Sequence, residues 1–171
     1  MRRLVGVVAV GAALLGTAGT ATAQSGAGAP SGHHAAATCE SVDLGIAFGR
    51  VEGAAGTVYR EVLLTNRGLA PCVTRGFPGV SYVDSSGDQV GPAADRDGAR
   101  GPQVTLAHGA TAVAVVGSAN VDNFDPAVCR KTPVWGLRVF PPDATAPLYL
   151  PLTGQYGCAG TVRHLKVTSL G

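Results

Sequence analysis

Beyond Cys39 the large apolar residues recur at every second position in short runs, and no segment sustains the 3.6-residue period of a helix. That single property confines the chain to strand-built folds. Val42, Leu44, Ile46 and Phe48 alternate with Asp43, Gly45 and Ala47 and predict a first strand, closed by a turn over residues 52–56. Residues 57–65 carry large apolar groups at both parities and predict a central strand covered on both faces. Short strands are expected around Cys72 to Thr74 and over 80–83, with Asp84, Ser85, Ser86, Gly87 and Asp88 forming a hairpin turn.

Residues 91–102 are small, charged and rich in Gly and Pro, which predicts a long surface loop. Segments 103–106 and 110–117 flank Ala107, His108 and Gly109 and are expected to pair as a hairpin. Residues 134–140 form a further strand with Trp135, Leu137 and Val139 on one face, and 148–150 and 165–170 complete the set. Eight or nine short strands at such spacing predict an all-β fold, an antiparallel immunoglobulin-like β-sandwich, with a barrel as the competing architecture.

The ends of the chain bear on where it works. Residues 1–23 begin with Arg2 and Arg3, continue through about a dozen apolar residues and end in Ala21, Thr22, Ala23. This is the layout of a secretory signal peptide cleaved after Ala23, and its apolar run falls well short of the roughly 20 residues that span a bilayer. Residues 24–38 have no large apolar side chain and predict a flexible leader, leaving one domain over 39–171. Of the 13 Lys and Arg, two lie in the signal segment, so the processed chain has 11 against 11 acidic residues. A neutral chain lacks the basic excess that displaces counterions from nucleic acid or docks on anionic lipid.

Cys39, Cys72, Cys129 and Cys158 are even in number and widely spaced in a chain expected to be exported, which makes two disulfides the expectation. Three connectivities are possible. The sequential one, Cys39 with Cys72 and Cys129 with Cys158, is preferred because each pair then ties the ends of neighbouring strands. Closing loops of this size stabilises a fold by about 3–4 kcal/mol each on the chain-entropy model. Zinc ligation would need the close Cys-x-x-Cys spacing that is absent here.

The chemistry-bearing motifs are few. There is no Gly-x-Ser-x-Gly elbow, no His-Glu-x-x-His and no phosphate-binding Gly-Lys-Ser/Thr loop. The pair His33 and His34 lacks converging third and fourth ligands, and His108 reads as a solvated turn residue. Asp95, Asp97, Asp122 and Asp125 lie in two acidic clusters without the closing bidentate Glu of a calcium loop, so solvated loop charge is the expectation. Trp135, Tyr59, Tyr82 and Phe77 are expected in the core, a ligand-stacking platform being the alternative.

These residues predict an exported, monomeric, non-enzymatic module that uses no cofactor or metal and binds an extracellular or envelope protein or glycan. The candidate binding loop comprises Asp84, Asp88, Asp95, Arg96, Asp97 and Arg100, because loops on a rigid scaffold commonly carry recognition. Deleting 95–100 is then expected to leave stability nearly unchanged. A small proteinase inhibitor is the alternative, and a calcium-assisted enzyme relying on Asp122 or Asp125 a third reading.

Leu64-Thr65-Asn66, Cys72, Gly76-Phe77-Pro78-Gly79-Val80, the run Leu106 to Ala112, Pro141-Pro142 and Cys158 together carry a resemblance. From Cys39 to its end the chain resembles the secreted domain-of-unknown-function family numbered 4232, typical of actinobacterial exported proteins and lipoproteins. The resemblance implies a compact β-sandwich outside the cytoplasm and no established activity. Many members carry a lipidation box, whereas here the first cysteine follows Ala36, Ala37 and Thr38.

Overall fold

The computed structural model describes residues 36–171, so the expected signal segment and residues 24–35 of the leader lie outside it. Twelve strands follow in order: β1 (Ala37–Thr38), β2 (Leu44–Ala54), β3 (Thr57–Asn66), β4 (Cys72–Thr74), β5 (Gly79–Val83), β6 (Gln89–Val90), β7 (Asp95–Asp97), β8 (Val104–Leu106), β9 (Thr111–Ala119), β10 (Lys131–Phe140), β11 (Leu148–Cys158) and β12 (Leu165–Thr168). Short 3-10 turns over Ser41–Asp43 and Val121–Asn123 and one helix, α1 (Pro126–Cys129), are the remaining regular elements described. The all-β expectation holds.

The strands form three sheets, ordered β2-β3-β9-β12-β7, β11-β10-β5-β6 and β1-β4-β8. All pairings are antiparallel except β12 with β7 and β1 with β4. Val62, Leu64, Ala114, Val116, Leu165 and Val167 of the first sheet share one buried cluster with Val80, Tyr82, Leu137, Val139 and Leu150 of the second. Each fully buried Val or Leu contributes about 1.5–3 kcal/mol by leaving water. Across that core the Tyr82 hydroxyl meets Ser118 Oγ at 2.7 Å, so the phenol keeps a hydrogen-bond partner although it is buried. Burial pushes the Tyr82 pKa up, while the Ser118 bond and the nearby Arg60 charge pull it down.

Both disulfides follow the sequential pairing. Cys39 joins Cys72 with Cα atoms 4.9 Å apart, and Cys129 joins Cys158 at 4.5 Å. The first belongs to the main core; the second sits with Val121 in a smaller cluster against Phe124 and Val162.

Several local expectations change. Ala37 and Thr38, expected in the leader, pair with Cys72 and Val73. Val42 is 89% exposed in a 3-10 turn, and β2 begins at Leu44 and runs to Ala54, leaving only Ala55 and Gly56 as the turn. Their φ values of 47° and 76° match the two-residue turn that suits the right-handed twist of a hairpin. Strand β3 buries alternate residues, Arg60, Val62, Leu64 and Asn66, and leaves Tyr59 exposed, so it is covered chiefly on one face.

The predicted hairpin around His108 does not form: β8 pairs with β4, and β9 with β3 and β12. Asn66 explains why the chain changes sheet there. Its backbone N–H donates to Ala110 O, its carbonyl accepts from Gly109 N, and its Nδ2 donates to Leu106 O.

Candidate functional site

The turn between β5 and β6 is built by Asp84. Its Oδ1 accepts from Ser86 N (2.8 Å) and Asp88 N (3.0 Å), and its backbone N–H donates to Asp88 O. This is the local side-chain bonding that makes Asp a turn residue, and it confirms the predicted turn at 84–88. Gly87 completes it at φ 86°.

Beside this turn the β10–β11 pairing slips. Val134 pairs with Gln155, but Gly136 already pairs with Pro151. Val134 and Leu137, three residues apart, are both buried, so strict alternation fails between them and Trp135 points outward at 64% exposure. Such irregularities re-aim side chains. Leu150 O lies 2.5 Å from where a Cβ on Gly136 would stand, so only glycine fits this close approach. Trp135 is therefore a surface residue, contrary to the core expectation; Tyr82 is buried as expected, and Tyr59 is exposed.

Trp135 and Tyr149, itself 54% exposed, line one shallow groove of about 450 Å³ together with Val83, Asp84, Ser85 and Pro151. Two large aromatic side chains thus stand next to a turn bearing a carboxylate and hydroxyls. Each of the two leaves more than half of its surface in water.

The structure separates the candidate loop residues. Asp84 lines this groove and Asp88 closes its turn, whereas Asp95 lines a different cavity with Tyr59, Arg163 and His164. Residues 91–102 are not a free loop, because Asp95, Arg96 and Asp97 form β7 and pair with Lys166, Val167 and Thr168. The Asp95 carboxylate accepts from Arg163 Nε at 2.7 Å, and that bond holds its pKa below the usual carboxylate value. The Arg96 guanidinium lies 5.7 Å from the Phe77 ring centroid, and Arg100 Nη2 donates to Arg75 O. A β-strand of Asp-Arg-Asp has no apolar alternation to betray it.

The second acidic cluster is likewise occupied. Asp122 pairs with Lys131 at 2.7 Å, and Asp125 caps α1 by accepting from Ala127 N and Val128 N. Among the described residues no three His, Cys, Asp or Glu side chains gather as a metal-ligating group. His108 Nδ1 lies 3.0 Å from Gly68 O at the surface. His164 is buried, stacked on Tyr82 with centroids 5.7 Å apart, and its Nε2 has no partner among the described residues. Burial lowers its pKa, a hydrogen bond with Val162 O opposing.

Sequence reasoning did not single out Arg60, although it falls on the inward side of β3 with Val62 and Leu64. A charge at an apolar parity was the available signal. Arg60 lines a cavity of about 400 Å³ with Ser118, Asn120, Lys131 and Gln155.

The model of the family described as Domain of unknown function (DUF4232) matches residues 39–171. No curated protein and no solved structure matches the chain. The match runs from the first cysteine through both disulfides to the last residue, and the chain belongs to the DUF4232 family.

Proposed function

We propose that this protein is an exported, monomeric, non-enzymatic module of immunoglobulin-like β-sandwich type that binds a glycan through the groove between Trp135, Tyr149 and the Asp84 turn. The observation that carries the reading is the outward Trp135, set beside Tyr149 on a rigid sheet. Aromatic faces stack on the apolar faces of sugar rings, and a neighbouring carboxylate and hydroxyls bond sugar hydroxyls. Export is supported by the leader pattern of residues 1–23 and by two disulfides, which persist in oxidising compartments. No described helix is long and apolar enough to cross a membrane.

The sheet orders β2-β3-β9 and β11-β10-β5 support the immunoglobulin-like reading, since they reproduce the A-B-E and G-F-C order of that fold. Insertion of β12 between β9 and β7 is a departure from it. The inhibitor reading is not favoured. Leu69, exposed next to Cys72, sits in a tight bend closed by Gly68 N on Asn66 Oδ1 rather than in an extended segment that a protease cleft would take.

Trp135 is the single tryptophan, so its fluorescence reports the groove directly. Titration with soluble chitin, cellulose and peptidoglycan oligosaccharides is expected to shift its emission with at least one of them. Trp135→Ala is expected to weaken pull-down on the corresponding polysaccharide by about thirtyfold, the scale of a buried aromatic hot spot. Unchanged pull-down by Trp135→Ala sinks the proposal.

A further inference from the structure

The cavity at the β2–β3 turn poses a separate question. Arg60 is only 8% exposed, yet no carboxylate lies within 4.0 Å of it among the described residues. Residues 1–35 contain no Asp or Glu, so no acidic side chain of this chain is left to pair with it. Buried arginines are ordinarily paired, because an unpaired buried charge is costly. The guanidinium carries five N–H donors, of which Nη2 donates to Gln155 Oε1 at 3.0 Å.

The cavity that Arg60 lines is large enough for a ligand of monosaccharide size. Its lining includes the side-chain amides of Asn120 and Gln155, and Ser118, whose hydroxyl already meets Tyr82. Lys131 and Asp122 also line it, but they neutralise each other at 2.7 Å, so the cavity has the net charge of Arg60 alone. A single planar cation is matched by a planar monoanion bound in two parallel hydrogen bonds. A phosphate dianion would call for a second free cation or a nest of backbone N–H groups.

We infer that the Arg60 cavity binds a carboxylate-bearing small ligand of about monosaccharide size, with the guanidinium taking the carboxylate and the side-chain amide N–H groups of Asn120 and Gln155 available to its hydroxyls. This goes beyond the glycan reading and does not depend on it, since Trp135 and Tyr149 do not line this cavity.

The test uses the oxidised protein at constant ionic strength with D-glucuronate, its neutral counterpart glucose, and inorganic phosphate as probes. Glucuronate at about ten times its Kd is expected to raise the thermal midpoint by about 3–6 °C. Glucose is expected to give no rise, and phosphate less than glucuronate. Arg60→Met keeps the aliphatic stem and removes the charge. It is expected to fold with an unchanged or higher midpoint in the absence of ligand, and to lose about tenfold to a hundredfold in glucuronate affinity. Trp135→Ala is expected to keep the glucuronate response, which separates this site from the groove.

Absence of a glucuronate response, an equal response to glucose, a stronger response to phosphate, or an undiminished response in Arg60→Met each overturns the inference. Should Arg60→Met fail to fold, the ranking of the three probes on the unaltered protein still decides it.

Discussion

Replacing Asn66 isolates one side chain that holds three connections together. It is 1% exposed, and its Nδ2 donates to Ala70 O and Leu106 O at 2.9 Å each while its Oδ1 accepts from Gly68 N at 2.9 Å. Asn66→Ala removes three hydrogen bonds worth about 0.5–1.5 kcal/mol each, one of them to the carbonyl of buried Leu106. The expected loss is about 2–4 kcal/mol, a large share of the roughly 5–15 kcal/mol that stabilises a domain of this size. Asn66→Asp keeps the acceptor for Gly68 N but turns a carboxylate towards two carbonyl oxygens. It is expected to cost more than the alanine at pH 7, and to recover part of that loss at pH 4, where a protonated carboxyl donates again. Urea denaturation of the oxidised protein measures both, provided the slope m stays constant. A loss below about 1 kcal/mol for the alanine, or an aspartate no worse than the alanine at pH 7, refutes the reasoning.

Two further outcomes are expected. Deleting residues 95–100 removes the β7–β12 pairing, the Asp95–Arg163 ion pair and the Arg96–Phe77 contact, so the thermal midpoint should fall by more than about 5 °C in calorimetry; an unchanged midpoint would restore the free-loop reading. Burial depresses the His164 pKa, so the unfolded chain takes up this proton first. The stability of the neutral ring is therefore fully present above the unfolded value of about 6.5 and is lost as pH falls from there through the lower folded value. His164→Phe should flatten that part of the decline between about pH 7.5 and 5 in urea titrations, and an identical slope in the variant rules out His164 as its source.

Much of the architecture was legible because it depends on local chemistry. Alternation reveals most strands, Asp84 and Gly87 mark their turn, and the preferred sequential cysteine pairing, which ties the ends of neighbouring strands, is the one that forms. What stayed hidden depends on partners far along the chain. Strand β8 has the alternation of a hairpin arm, but its partner is β4. Strand β7 is a polar edge held by β12 and an ion pair, so hydrophobic pattern could not show it. The site was less visible than the fold. Asp84 is legible as a turn residue, but alternation alone places Trp135 inward, because the slip that turns it outward is set by its pairing with β11. Arg60 is a single charge at an inward position of β3, and the cavity around it is formed by residues far along the chain that its own sequence neighbours do not reveal.

The slip at Gly136 divides β10 into two reading frames. On one side even-numbered positions face the core, as Val134 does, and on the other odd-numbered positions do, as Leu137 and Val139 do. The indole lies at the junction, displayed by a change of parity rather than by any polar character of its own. The exposed indole and the residues that close the core are therefore written in separate registers of one strand. Substitution at Trp135 can change the exposed surface while the Leu137–Val139 half keeps its packing, so long as a glycine holds the junction.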